Sequence, residues 1–192
     1  MTLVLFSCDG GDVTLPPRAL VLVSRTDGGH LVVKPPRSVW DRSELTPTEL
    51  TKWSALVAAT GRAMLGALPQ LEGGCINYWE AGNWALHERA EPRGPKTARE
   101  HRSVHLHLLG RSPHATHPSW RWGEAPAFPR YKDRFRWAAR FERLSADECW
   151  AVVSRVQTAL RAIYAFEPAA IRAWSRCPTC TYPLASRGEV QT

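Results

Sequence analysis

The sequence predicts an α+β domain: an antiparallel sheet of about five strands, one helix packed on it, and a strand-helix extension at the carboxyl end. Three observations predict this class. Short runs rich in Val and Leu are broken by Gly and Pro, as strands in a sheet are. Two capping boxes each open an amphipathic segment. The composition, 44% hydrophobic and 22% charged over 192 residues, is typical of folded globular chains.

The first strands are predicted near the amino end. Residues 4–6 form a short apolar run. Residues 19–24 (ALVLVS) and 30–34 (HLVVK) flank the turn sequence Thr-Asp-Gly-Gly at 26–29. Because a short Gly-containing loop between two β-prone runs favours a hairpin, the pattern predicts a hairpin over residues 19–34.

The first helix is predicted from Thr46 to about Leu68. Thr46-Pro47-Thr48-Glu49 is a capping box with proline at the first helical position, which is a specific signal for a helix start. Apolar residues then recur at three-and-four spacing. One face of this helix should therefore pack on the sheet.

Two further strands are predicted before residue 112. Residues 75–79 (CINYW) are β-prone, and residues 103–109 (SVHLHLL) alternate polar and apolar side chains, with Gly110 and Arg111 closing the strand. The polar residues 89–101 between them contain Pro and Gly and predict a surface loop.

The carboxyl-terminal part is predicted to be a connector followed by an extension. Residues 113–130 are rich in proline and predict an irregular connector. Aromatic and basic residues alternate over 135–141 and predict a half-buried strand, with a helix as the alternative. Ser145 to Glu148 forms the second capping box and opens a helix to about Phe166.

These elements predict a division of the chain into three parts. Residues 1–112 form the core, residues 113–130 connect, and residues 131–192 form an extension packed on the core.

The charge and cysteine content limit the partners and the compartment. The net charge of +7 permits polyanions such as nucleotides as partners, although a solvated basic face is the favoured explanation. No window is long and apolar enough for a membrane helix, and the first residues lack the pattern of a signal peptide. Five dispersed cysteines suit reduced thiols. We therefore predict a cytoplasmic protein that does not contact a membrane.

Two carboxyl-terminal motifs have competing interpretations. Basic and aromatic residues over 130–143 resemble surfaces that bind single-stranded nucleic acid, but a strand with its arginines outward is favoured. Cys177 and Cys180 form a C-x-x-C pair, which favours either a structural zinc or no ligand over a redox pair. Zinc would need two more ligands, with four candidates: Cys8, Cys75, His114 and His117. Cys149 is predicted to lie in the core.

The chemistry is predicted on the strand that contains residues 103–109. Since side chains alternate between faces, Ser103, His105 and His107 project together, about 7 Å between successive positions, while Val104, Leu106 and Leu108 enter the core. A neutral imidazole is a nucleophile at pH 7, and a second one can stabilise phosphate oxygens or assist the leaving group. The alternatives are a solvated strand face and a metal site of His101, His105 and His107.

The sequence Ser103 to Arg111 (SVHLHLLGR) resembles the signature strand of the histidine-triad superfamily, in which three histidines alternate with apolar residues. The order of the preceding HLVVKP at 30–35 and the Leu-Thr-Pro-x-Glu helix start at 45–49 is also similar to that family. The resemblance covers roughly residues 19–112 and implies a histidine-triad-like fold. It also implies a nucleotide hydrolase or nucleotidyltransferase that works as a homodimer on a nucleotide or dinucleotide, with no metal needed for the chemistry.

The resemblance assigns a role to each matching position. It implies that His105 attacks the α-phosphate, that His107 contacts phosphate and assists the leaving group, and that His30 lies near the phosphates and ribose. Ser24 matches a ribose-binding position, and Leu22 and Val32 match positions beside the nucleoside. The phosphate-binding loop diverges, and its candidates are Asn83, His87 and Lys96.

Ser103 is the clearest departure from the family pattern, because a histidine usually stands there. The backbone carbonyl of this position is what holds the nucleophile's ring in the family, and a serine preserves it. The resemblance therefore leaves two hypotheses: an active enzyme, or a nucleotide or nucleic-acid binding module without turnover.

Overall fold

The computed structural model describes residues 3–166 and 171–172, and in this part the chain forms one antiparallel sheet with its two long helices on one face. The strands are β1 (Leu3–Cys8), β2 (Gly11–Leu15), β3 (His30–Lys34), β4 (Cys75–Ala81), β5 (His105–Arg111) and β6 (Ile171–Arg172). Their order across the sheet is β4-β5-β3-β2-β1-β6, and each neighbouring pair is antiparallel. The predicted α+β class is confirmed.

Four helices accompany the sheet in the described residues: α1 (Pro47–Ala67), α2 (Ala98–His101), α3 (Arg134–Ala138) and α4 (Ala146–Ala162). Both predicted capping boxes are formed. The hydroxyls of Thr46 and Ser145 accept from the amides of Glu49 and Glu148, whose carboxylates accept from the cap amides in return. These bonds satisfy amides that the first turn of each helix leaves unpaired.

The main core lies between the sheet and the pair of helices α1 and α4, which pack on each other. Leu31 and Val33 of β3 and Leu108 of β5 enter it beside Trp53 and Leu56 of α1. Cys149 of α4 is buried there, as predicted. Because side chains alternate along a strand, the intervening residues of β3 and β5 face the other side of the sheet.

A second, smaller core covers part of that other side. It is formed by Val21, Leu22, Val23, Leu109, Trp120 and Phe141. Trp120 is fully buried although it belongs to the predicted connector. The indole N–H groups of Trp120 and Trp137 both donate to the Leu22 carbonyl, at 2.9 and 3.2 Å. Residues from the carboxyl-terminal half of the chain therefore hold the segment around Leu22.

The predicted hairpin over residues 19–34 is wrong. Residues 18–20 form a 3-10 turn, and residues 21–24 join no strand pairing. β3 pairs instead with β2 and β5. Residues 21–24 of this apolar run are buried, whereas Ala19 is exposed. The Leu22 carbonyl accepts from two indoles and not from a neighbouring strand. β2 (GDVTL) was missed because it begins with Gly and Asp, which are depleted in strands.

The predicted strand over residues 135–141 is also wrong. Residues 134–138 form α3, the alternative that the sequence left open. Arg and Ala favour a helix, and a period of two over so few residues does not exclude one. Phe135 is exposed at 54%, while Ala138 and Phe141 are buried.

The remaining differences are small. β5 begins at His105, two residues after the predicted start, and includes Gly110 and Arg111. The predicted surface loop of 89–101 ends in the short helix α2. α4 ends at Ala162, four residues before the predicted end. Cys177 and Cys180 lie outside the described residues. Within the described part of the chain, every helix is too short or too polar to span a membrane.

Candidate active site

Three histidines from β3 and β5 meet on the face of the sheet opposite the main core. His107 lies opposite Val32 of β3 and Trp79 of β4 in the strand pairing. His30 is two residues before Val32, so its side chain shares the face of His107. His30 Nε2 lies 2.7 Å from His107 Nδ1, and His107 Nε2 lies 3.1 Å from His105 Nε2.

The two rings on β5 converge more closely than their backbone spacing predicts. The ring centroids of His105 and His107 are 4.9 Å apart, and those of His30 and His107 are also 4.9 Å apart. The hydrogen bonds between ring nitrogens explain this approach, because each requires a donor and an acceptor at about 3 Å.

Backbone groups at the two ends determine the proton positions along this histidine chain. The Leu22 amide donates to His30 Nδ1 at 3.2 Å, and the Ser103 carbonyl accepts at 2.8 Å from His105 Nδ1. An amide can only donate and a carbonyl can only accept. His30 therefore carries its proton on Nε2, His107 on Nε2 and His105 on Nδ1. Each ring is neutral, and the lone pair of His105 is on Nε2.

Burial favours the same neutral state. It lowers the pKa of His30 to about 3, with the nearby His105 as a second cause. Burial also lowers the pKa of His107 well below its ordinary value, helped by the other two rings. For His105, burial lowers the pKa, and the hydrogen bond to Ser103 opposes part of the shift. Removal from water disfavours the imidazolium form in all three cases.

His105 and His107 line a cavity of about 590 Å³, a size suited to a small-molecule ligand. The cavity is lined by residues of five regions: Thr14, Pro16, Pro17, Leu20 and Leu22; Val32 and Lys34; Trp79, Glu80, Ala81 and Gly82; Asn83, Trp84 and Ala85; and His101, Ser103, His105 and His107. His30 lies behind His107 and is only 2% exposed. Its connection to the cavity is its hydrogen bond with His107.

The structure brings several sequence-predicted residues to this cavity. Leu22, Val32 and Asn83 line it with His105 and His107. Ser103 lines it too, and its carbonyl holds the His105 ring while its hydroxyl lies 3.1 Å from that of Ser38.

Three other candidates lie apart from the cavity lining. Ser24 is buried, and its hydroxyl accepts from the hydroxyl of Thr26 and the amide of Glu142. His87 stacks on Tyr131 with centroids 4.0 Å apart. The Lys96 ammonium donates to two backbone carbonyls, those of His87 and Ala90. Ser24, His87 and Lys96 therefore each contact other parts of the protein and are not part of the cavity lining.

Sequence reasoning missed other residues of the lining. Lys34 follows His30 and Val32 at a spacing of two, so alternation along β3 could have found it. Trp79 could have been found only from the register of β4 against β5. Trp84 lies in a 3-10 turn after β4, and no periodicity indicated its direction.

The charges around the cavity are partly paired. The Arg102 guanidinium bonds Glu80 at 3.0 Å and the Trp40 carbonyl, and Arg42 also bonds Glu80. Lys34 differs, because no carboxylate of the described residues lies within ion-pair distance of its ammonium. The site therefore has a cation beside His105 that a phosphate can use.

The described residues offer no cluster of three or more His, Cys, Asp or Glu side chains arranged as metal ligands. The alternative metal site of His101, His105 and His107 gains no support, because the His105 and His107 nitrogens bond each other and His101 Nδ1 lies 3.2 Å from the Thr97 carbonyl.

Comparison of the sequence with protein-family models and with curated proteins finds no match to either.

Proposed function

We propose that this protein is a nucleotide-phosphate hydrolase or nucleotidyltransferase that works through a nucleotidyl-histidine intermediate on His105. The observation that carries the proposal is the chain of neutral histidines beside the cavity, in which the lone pair of His105 Nε2 accepts only an exchangeable hydrogen bond from His107 Nε2. The resemblance of residues 103–111 to the histidine-triad signature supports the same chemistry.

The first step is attack of His105 Nε2 on the α-phosphorus of a bound nucleotide. A nitrogen–phosphorus bond forms, and the bond from phosphorus to the leaving oxygen breaks with its electron pair on that oxygen. The Ser103 carbonyl accepts from His105 Nδ1 and so stabilises the positive charge that develops on this ring. On binding substrate, His107 Nε2–H exchanges its bond with His105 for one with a phosphate oxygen.

The second step returns the enzyme to its starting state. Water, or another acceptor hydroxyl, attacks the same phosphorus, and the nitrogen–phosphorus bond breaks with its electron pair returning to His105 Nε2. The proton of the attacking water passes to solvent. The products are a nucleoside monophosphate and the leaving group, and one water is consumed.

The proton positions favour leaving groups that depart as anions. For His107 to act as a full acid it must carry two protons, and its Nδ1 proton would then point at His30 Nε2. His30 would have to give up its own Nε2 proton while the Leu22 amide occupies its Nδ1. His107 therefore supplies a hydrogen bond and stays neutral. Phosphate leaving groups need no more than this, whereas amines need a proton.

A second candidate function is a binding module that keeps the cavity without turnover. The replacement of the usual histidine by Ser103 favours it, as does the bond that occupies the His105 lone pair in the free protein. Both functions predict nucleotide binding, so turnover distinguishes them.

The test is incubation with a nucleoside phosphoramidate and a dinucleoside polyphosphate, comparing wild type with His105→Ala. His114→Ala is the matched control, because His114 is exposed and lies outside the cavity. We expect wild type and the control to release nucleoside monophosphate from the dinucleoside polyphosphate, and more slowly from the phosphoramidate, whose amine must be protonated to leave. In His105→Ala we expect a loss of at least about a thousandfold in kcat/KM for the polyphosphate. Tight binding with no turnover in any of the three proteins would favour the binding module.

We also propose a cytoplasmic homodimer. The edge strand β4 and the exposed apolar side chains of Tyr78 and Leu65 support association through the sheet edge and α1. Cys8 and Cys75 form no disulfide within the described residues, which suits a reducing compartment. Light scattering on the purified protein tests the homodimer, and cell fractionation tests the cytoplasmic location.

Zinc at Cys177 and Cys180 stays a prediction, which metal analysis of the purified protein tests.

A further inference from the structure

The stretch from Arg130 to Arg143 concentrates positive charge. It contains six Lys or Arg residues and two acidic residues, a net charge of +4 against +7 for the whole chain. Its sequence has two interpretations, a strand with its arginines outward and a surface that binds single-stranded nucleic acid. The strand on which the first interpretation rests is not formed, because residues 134–138 are helical.

Helical turns bring the exposed cations of this stretch to one side. Residues 131–133 form a 3-10 turn, α3 follows directly, and a further turn continues to Arg140. Lys132, Arg136 and Arg140 are all exposed and recur every four residues, so successive side chains are neighbours about 6 Å apart. We call Lys132, Phe135, Arg136 and Arg140 the basic face.

The cations of the basic face are available to an anion. Among the described residues, no carboxylate lies within ion-pair distance of Lys132 or Arg140. Arg136 pairs with Asp133 at 2.9 Å, but its side chain is 77% exposed, and such surface pairs are weak. Arg18 adds another exposed cation, because it belongs to the turn of residues 18–20 that packs against α3.

An exposed ring lies among these charges. Phe135 is 54% exposed, although phenylalanine is usually buried. The Arg134 guanidinium lies 4.0 Å from the centre of its ring and 3.6 Å from that of Tyr131, which is itself stacked on His87 with centroids 4.0 Å apart. These contacts support the Phe135 ring and leave about half of the residue open. A ring held in this way loses little freedom when a ligand binds.

The charges and the ring together favour one kind of partner. Cations alone suit any polyanion, including an acidic protein segment. An exposed ring beside them suits bases, because every base has a flat face that stacks on an aromatic side chain. The bases of a duplex already stack on each other, whereas those of a single strand are accessible. The combination therefore fits a single strand.

We propose that the basic face binds single-stranded nucleic acid, with phosphates on Lys132, Arg136 and Arg140 and a base stacked on Phe135. None of these four residues lines the cavity. The surface is therefore separate from the histidines, and the inference does not depend on turnover at His105.

Fluorescence anisotropy with labelled oligodeoxythymidylate, measured over a range of salt concentrations, tests the charges. The double variant Lys132→Gln/Arg140→Gln should flatten the slope of log affinity against log salt by about 1.4, since each phosphate contact on a single strand contributes about 0.7. Arg62→Gln/Arg161→Gln is the matched control, because it removes the same charge from exposed positions on α1 and α4. It should leave the slope unchanged. Equal flattening in both doubles would mean that only net charge acts, and would overturn the basic face.

Phe135→Leu tests the ring in the same assay. It should weaken oligonucleotide binding about tenfold without changing the salt slope, because a stacked base is lost and no phosphate contact is. Phe135→Trp should restore the affinity. Inorganic polyphosphate has charge but no bases, so its affinity should be the same in wild type and Phe135→Leu. An unchanged oligonucleotide affinity in Phe135→Leu, or equal losses for both ligands, would overturn the single strand as partner and favour a general polyanion surface.

Excess AMP separates this surface from the cavity. AMP is a ligand that the proposed function assigns to the cavity, so it should leave oligonucleotide binding at the basic face unchanged. Displacement of the oligonucleotide by AMP would show that the strand binds in the cavity, and would overturn the inference. Absence of turnover in wild type would overturn the proposed function and leave these binding results unaffected.

Discussion

At the scale of single residues, one backbone amide, that of Leu22, affects all three histidines. It donates to His30 Nδ1, and this one bond determines which nitrogen of each following ring carries the proton. Alternation along β5 was enough to predict that His105 and His107 share a face. It could not predict the bond from Leu22, because that bond depends on an irregular segment whose position is set by distant parts of the chain.

The neutral histidines predict that acid destabilises the folded protein. Their pKa values in the folded state lie below the ordinary value of about 6.5, so the unfolded chain binds more protons below that pH. The contribution to stability is complete above pH 6.5 and decreases as the pH falls towards the folded-state values. Urea unfolding at pH 7 and pH 5 should show this decrease.

His30→Gln should reduce that pH dependence. It removes one group that is neutral when folded and protonated when unfolded, and each such group contributes at most about 1.4 kcal/mol per pH unit to the slope. The free energy of unfolding should therefore depend less steeply on pH between 5 and 6.5 than in wild type. Parallel slopes in the two proteins would contradict the assignment of His30 as neutral.

At the scale of elements, the helices were the most predictable part. Both capping boxes and the apolar spacing of α1 are local patterns, which can be recognised in the sequence without knowledge of the rest of the fold. The errors fell on residues 19–24 and 135–141. Each has a period or composition that fits two structures, and contacts far along the chain decide between them.

Removal of the first cap should destabilise α1 without altering the site. Thr46→Ala deletes the hydroxyl that accepts from the Glu49 amide at 3.3 Å, and such caps are worth about 1 kcal/mol. Urea unfolding should show this loss, while nucleotide affinity stays unchanged because α1 lies on the opposite face of the sheet. Thr48→Ala, at an exposed position in the same turn, should cost less than about 0.5 kcal/mol. Equal losses would show that the cap contributes nothing specific.

At the scale of the whole molecule, the proton positions of the three histidines depend on residues far along the chain. Trp120 and Trp137 both donate to the Leu22 carbonyl, and the Arg25 amide donates to the Glu142 carbonyl at 2.9 Å. These contacts hold the segment whose amide fixes the proton on His30. Sequence patterns predict that residues 113–141 form a connector and part of an extension, since no short-range signal links residue 22 to residue 137.

Trp137→Phe should therefore affect the histidines at a distance. It keeps an aromatic ring against His117 and Phe141 but removes one of the two donors to the Leu22 carbonyl. We expect about a fivefold lower kcat/KM, equivalent to about 1 kcal/mol for one hydrogen bond. Nitrogen NMR of the imidazoles should show a second population in which His107 Nε2 has lost its proton.

The exposed Trp122 supplies the control for that experiment. Trp122→Phe is the same chemical change at a side chain that is 44% exposed, and it should leave the imidazole resonances and turnover as in wild type. Reduced turnover in Trp137→Phe with unchanged ring nitrogens would mean that the indole acts through general packing.

The position of β4 at the margin of the sheet has an evolutionary consequence. Only one neighbour, β5, constrains its backbone within the described chain, and the turn of residues 83–86 that follows it belongs to no ladder. Mutations there can reshape one wall of the cavity while the buried histidines and the helical face keep their structure. Selection can therefore diversify what the cavity accommodates through changes at residues 83–86, which include neither Trp79, in contact with His107, nor Glu80, paired with Arg42 and Arg102.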